Sequence, residues 1–215
     1  MKVNYTKTIR EYCKTTPWKI FDVSYEMKDH FKMVPYKTLL KALNRLEEEG
    51  LLETVSKGVY LIKTGEPVED PILAHYASEG RGVVVGYAMY NRYGITDHTE
   101  KPIRIYTNAM ETETKNIGKE YVLMRLPIFF TDSVKNLIAA LEILENGPEI
   151  IGQELSMRAN ALMQLLRNYK DPSLTYILRF HPYPYSTICS LDSILSDLKI
   201  QNEVLNIYRK ECQDA

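Results

Sequence analysis

The chain has 215 residues, 45% of them hydrophobic and 26% charged, values of a folded globular protein that exclude wholesale disorder. Its 27 Lys+Arg against 28 Asp+Glu leave a formal net charge of −1. That excludes a uniformly basic nucleic-acid binder, but not a basic segment balanced by an acidic one. No apolar run approaches the roughly 18–20 residues that span a bilayer. The opening MKVNYTKTIREYCK lacks the apolar stretch of a secretory signal. The three cysteines, Cys13, Cys189 and Cys212, are odd in number and widely spaced, with no C-x-x-C pair. Three reduced thiols in a cytoplasmic protein with no membrane partner are therefore expected.

The charge divides unevenly. Residues 1–63 hold 12 of the basic and 8 of the acidic side chains, a balance of +4, and the remainder carries −5. A first helix is predicted over residues 3–14, stopped by Thr15-Thr16-Pro17. Trp18, Ile20 and Phe21 form a short apolar stretch expected to pack on the core. Asp22 or Ser24 can cap a second helix over residues 23–30. Pro35 suits N1 of a third helix that runs to about Glu49 and stops at Gly50. Leu39, Leu43 and Leu46 give that helix a core stripe. Lys37, Lys41 and Arg45 fall on another face, beside Thr38 and Asn44. Residues 52–55 and 59–62 are β-rich runs joined by Ser56-Lys57-Gly58, where glycine supplies the positive φ of a tight turn.

Three helices followed by a hairpin is the order of a winged helix-turn-helix, predicted over residues 1–64. Such a fold places its third helix in the major groove and its wing beside a phosphate strand. Lys37, Lys41 and Lys57 would then neutralise phosphates, and Arg45 and Asn44 suit guanine and adenine edges. A solvated lysine face is the plainer reading of the same helix. Glu47-Glu48-Glu49 argues against phosphate contact at its C-terminal end.

Residues 64–70 (TGEPVED) read as a linker, and residues 71–215 as a mixed α/β domain with a helical C-terminal part. The fold class is thus α+β. Its predicted elements are a helix over 71–78, a β-branched run over 83–85, a helix over 86–93 ended by Gly94, and a strand over 103–107. A polar hairpin or loop over 111–119 and strand material over 121–130 follow. Thr131 or Asp132 can cap a helix to Glu145 with Val134, Leu137, Ile138, Leu141 and Leu144 buried. A helix over 149–169 would bury Leu155, Ala159, Leu162, Met163 and Leu166. A short apolar run over 174–180, a turn over 181–185 and helices over 190–199 and 202–211 complete the chain. Tyr87, Tyr90 and Tyr93 recur on one helix face, read as packing between helix and sheet, with stacking on bases or a partner as the alternative.

Catalytic signatures are thin. The four histidines show no H-x-H or H-E-x-x-H spacing, and no phosphate loop or G-x-S-x-G elbow occurs, so neither a metal nor a cofactor is expected. Glu113-Thr114-Lys115 matches the E-x-K half of a metal-dependent nuclease site, and Asp97 could complete it. An exposed hairpin edge is the simpler reading.

Lys57-Gly58-Val59-Tyr60, the stretch over 86–96 (GYAMYNRYGIT) and the strand over 103–108 (IRIYTN) together resemble the AbiEi-type antitoxins of bacterial type IV toxin–antitoxin systems, linked to abortive phage infection. The resemblance spans about residues 10–145, and its motifs are structural rather than catalytic. It implies an N-terminal winged helix that binds its own promoter as double-stranded DNA and represses the operon. It also implies a C-terminal domain that neutralises a co-expressed nucleotidyltransferase-like toxin, with or without direct contact. Helix and wing position map the DNA-binding role onto Lys37, Thr38, Lys41, Asn44, Arg45 and Lys57. Two alternatives stay open: a winged-helix regulator whose second domain senses a ligand or dimerises, and a nuclease targeted by the wing.

Overall fold

The computed structural model describes residues 4–16, 19–78 and 80–213. Trp18 and the start of the first predicted helix lie outside them. The chain is mixed α and β, with two sheets.

Asn4 accepts from the Lys7 amide and caps α1 (Tyr5–Thr15). The apolar residues Ile20 and Phe21 form a strand, β1 (Ile20–Asp22), in place of a loop on the core. Asp22 then caps a single-turn α2 (Val23–Glu26), shorter than its predicted span. Pro35 stands one position earlier than expected, as the N-cap of α3 (Tyr36–Glu48), and Gly50 follows the helix with φ +74°. Leu39, Leu43 and Leu46 are fully buried against α1 and the sheet, with Ile9 and Phe21 among their neighbours. β2 (Leu52–Ser56) and β3 (Val59–Ile62) form the hairpin, and β1 pairs antiparallel to β3, giving the order β1-β3-β2.

Residues 64–70 are irregular, as their composition predicts, and Asp70 caps α4 (Pro71–Tyr76) through the Leu73 amide. A second sheet follows: β4 (Gly82–Val85), β5 (Ile103–Thr107), β6 (Thr114–Ile117) and β7 (Tyr121–Arg125), in the order β4-β5-β7-β6. β5 and β7 run parallel, and the two outer pairs are antiparallel. α5 (Tyr87–Arg92) connects β4 to β5. α6 (Asp132–Asn146), capped by Thr131, is the axis of the helical part, with α7 (Leu155–Leu166), α8 (Asp171–Leu178) and α9 (Tyr185–Asp197) packed around it. α10 (Val204–Tyr208) closes on α8 and α9.

Two predicted helices shift. The span 149–169 begins only at Leu155, after the positive-φ Gly152, and the penultimate helix begins at Tyr185 rather than Ser190. The α7 stripe also turns. Leu162 and Leu166 are buried together with Ala161 and Leu165, whereas Leu155, Ala159 and Met163 are exposed.

Strand alternation decides where the core goes. On β5 and β7, Ile105 and Leu123 face one way, and Tyr106 and Met124 the other, toward α6. The first face packs on Ile20 and Val59 of the small sheet and on Ile72 and Tyr76 of α4. β3 is thus covered on both sides: Tyr60 and Ile62 join the α1/α3 core, while Val59 and Leu61 join this seam. The polar stretch therefore connects two bodies that share an apolar core. Within the second body, α4 and β5 close tightly on the start of β4, since a Cβ at Gly82 would stand 2.1 Å from the Tyr76 carbonyl oxygen and 2.4 Å from that of Tyr106.

Polar groups line the same seam. Asp22 is fully buried; its Oδ1 accepts from the Ser24 amide and hydroxyl, and its Oδ2 from the Tyr76 hydroxyl at 2.6 Å and Lys115 Nζ at 2.8 Å. Burial opposes its charge, but Lys115 and these donors prevail and hold the carboxyl below its ordinary range. His75 is also fully buried, and burial with Arg81 alongside drives its pKa down to about 3. Arg81 lies 5.2 Å from the centre of the Tyr25 ring, joining α2 to the second body.

Candidate nucleic-acid interface

The Leu39/Leu43/Leu46 stripe fixes the rotation of α3, and that rotation decides which side chains reach solvent. At 3.6 residues per turn, Lys37, Lys41, Asn44 and Arg45 share an arc of about 100° opposite the stripe. All four are exposed, and Thr38 beside them is half-buried. Lys57 is exposed at the hairpin tip. Gly58 takes φ +72° there, and its carbonyl accepts from the Val23 amide, which seats the tip against the start of α2.

The partners of the basic residues sort them into two groups. Arg10, Lys14, Lys28 and Lys63 are paired with Glu49, Glu11, Glu111 and Glu53, and Lys19 donates to the Thr64 carbonyl. Lys32, Lys37, Lys41, Arg45 and Lys57 make no ion pair or side-chain hydrogen bond among the described residues. Lys7 on α1 is unpaired as well, and the other five gather on α3, on the turn before it and at the hairpin tip. An exposed ion pair is worth little to stability, so leaving these five unpaired costs the fold little and keeps them available to an outside anion.

The acidic run at the end of α3 is mostly engaged. Glu47 Oε1 accepts from the Thr54 amide at 2.9 Å and hydroxyl at 2.6 Å, and Glu49 pairs with Arg10. These carboxylates tie the helix end to β2 and α1, leaving Glu48 to face solvent.

Two exposed apolar side chains extend the face in a way the sequence reading missed. Met33 is 84% and Tyr36 54% exposed, at the turn into α3 and in its first turn. The available signal was their position between Lys32 and Lys37. The second body borders the face: Lys28 pairs with Glu111, and the Ser56 hydroxyl donates to the Asn116 carbonyl at 3.2 Å.

The other sequence candidates fall elsewhere. Lys115 of the E-x-K match is spent on Asp22, and Glu113 lies 3.5 Å from Arg125 on an exposed edge. No group of three or more His, Cys, Asp or Glu among the described residues is placed to hold a metal ion. Tyr90 is buried and Tyr87 and Tyr93 are half-buried; Tyr87 accepts from the Ile151 amide and stacks edge-on with Tyr90 and His98, the packing role expected of this face. No helix among the described residues is long and apolar enough to cross a membrane.

No family model matches the chain, and no curated protein matches it. Among solved structures it is similar to the RV2827C protein from Mycobacterium tuberculosis, at 14% identity and a TM-score of 0.40, over 91% of this chain and 78% of that one.

Proposed function

We propose that α1 to β3 form a winged helix-turn-helix whose α3 enters the major groove of double-stranded DNA while Lys57 at the wing tip meets a phosphate strand. The observation that carries this reading is the set of five unpaired cations on α3, its preceding turn and the hairpin tip. Supporting it are the helix–strand–helix–helix–hairpin order and the strand order β1-β3-β2. Lys37 and Lys41 serve as phosphate contacts, Thr38 as a hydroxyl donor beside them, and Asn44 and Arg45 as readers of base edges. The chain then acts in the cytoplasm as a regulatory binding protein, an autorepressor and antitoxin that counters a co-expressed nucleotidyltransferase-like toxin. The antitoxin part rests on the resemblance carried by Lys57-Gly58-Val59-Tyr60 and the stretches 86–96 and 103–108.

Two measurements test this. The purified chain is expected to bind DNA from upstream of its own gene, with an affinity that falls steeply with salt. Tight binding retained by Lys41→Glu with Arg45→Glu would reject the assigned face. Co-expression with the adjacent gene is expected to relieve growth arrest caused by that gene alone; arrest that persists would reject the antitoxin role.

A further inference from the structure

Between α6, β5 and the start of α5 lies a half-open cleft of about 260 Å³. At its base is Glu142, an acid within the buried stripe of α6 and only 7% exposed. Both of its hydrogen bonds fall on one oxygen: Oε1 accepts from the Tyr106 hydroxyl at 3.2 Å and from the Tyr183 hydroxyl at 3.1 Å. Oε2 has no protein partner among the described residues. No fully buried side-chain nitrogen or oxygen among them lacks one, so this oxygen opens on the cleft that Glu142 lines. A carboxylate held so rigidly, with half its accepting capacity turned toward a cavity, is a prepared site for a donor.

The rest of the lining sets the donor's charge. Glu100 and Glu149 stand at the exposed mouth with a single guanidinium, Arg104, so carboxylates outnumber cations three to one. Tyr87 and Tyr90 contribute aromatic surface, which attracts cations. Burial raises the Glu142 carboxyl above its ordinary range, Tyr183 and Tyr106 only partly offset this, and Glu145 adds to it; a bound cation would relieve that cost. The cleft falls below the roughly 300–1,000 Å³ that suits drug-sized ligands, which restricts the occupant to a small molecule.

We propose that this cleft binds a small organic cation bearing a primary ammonium or guanidinium group, which donates to Glu142 Oε2 and is flanked by Tyr87, Glu100 and Glu149. The site lies on the helical side of the second sheet, away from α3, and does not depend on the DNA-binding reading.

Calorimetric titration of the full chain with putrescine and with agmatine tests it. At least one is expected to bind with a Kd below about 1 mM. Glu142→Gln keeps an acceptor for both tyrosines but turns an amide N–H toward the cleft, and is expected to weaken binding at least about tenfold. Glu100→Gln with Glu149→Gln changes only exposed residues and is expected to weaken it about threefold or more. This double variant decides the matter if Glu142→Gln fails to fold. Failure of both amines to bind would overturn the proposal. So would amine binding unchanged in whichever variant is folded, or a preference for inorganic phosphate that Arg104→Ala abolishes.

Discussion

The exposed face of α3 and the buried seam beneath the hairpin use the same residue types to opposite ends. On α3, Lys37, Lys41 and Arg45 project without partners. In the seam, Lys115 and Asp22 are bound to each other, and Tyr76 and Ser24 complete the carboxylate's shell. A solvated cation can be left unpaired at little cost, whereas a buried charge without a counter-charge costs several kcal/mol. Charge is thus left open to solvent on one surface and fixes geometry in the other, and under the proposed DNA-binding role substitutions in the two places should give opposite signatures.

The largest effect is expected in the seam. Asp22→Ala removes the α2 cap and strands Lys115, for a loss of about 3–5 kcal/mol by urea unfolding. A loss below about 1 kcal/mol would mean that the network contributes nothing beyond the cap. On the other surface, Lys41→Glu with Arg45→Glu should leave the melting temperature nearly unchanged while weakening DNA binding about 100-fold or more in low salt. A matched fall in stability would merge the two regions and break the contrast.

His75 sharpens it through pH. Its folded pKa, about 3, lies below the ordinary 6.5, so below pH 6.5 the unfolded chain binds a proton that the folded chain does not. The stability His75 contributes is complete above pH 6.5 and is lost as pH falls toward 3. In unfolding experiments across that range, His75→Gln should flatten the slope by up to about 1.4 kcal/mol per pH unit, the value for one proton. An unchanged slope would show that His75 titrates normally. The smallest effect belongs to Lys57→Ala, which should leave stability alone and make the log–log salt dependence of DNA binding shallower by about 0.9, one phosphate contact.

How much of this could be read from sequence differs between the two regions. The α3 face was legible because a leucine stripe fixes a helix's rotation, and with it the position of every lysine on it. The hairpin was legible because Gly58 marks the turn. The seam was harder, because it joins β1 and β3 to β5, β6 and β7 through contacts far apart in the chain. Its one local trace is Val59-Tyr60-Leu61-Ile62, an apolar run without alternation, as a strand covered on both faces requires. β1 was missed because three residues are too few to show a period. On α7, apolar residues on two faces satisfied the same periodicity, and only the packing of α6 selected Ala161, Leu162, Leu165 and Leu166 over Leu155, Ala159 and Met163. Glu142 left a readable sign, a lone acid among Ala139, Ala140, Leu141, Ile143 and Leu144, but its tyrosine donors lie 36 and 41 residues away along the chain.

The two-sided burial of β3 also gives the molecule a clock. During synthesis, Val59 and Leu61 stay open to water until Ile105, Ile117 and Leu123 have left the ribosome, a delay of about sixty residues, or several seconds at roughly 5–20 residues per second. A nascent chain therefore matures its amino-terminal head only after the body behind it has been made, and a truncated translation product would leave that head with an open, sticky underside.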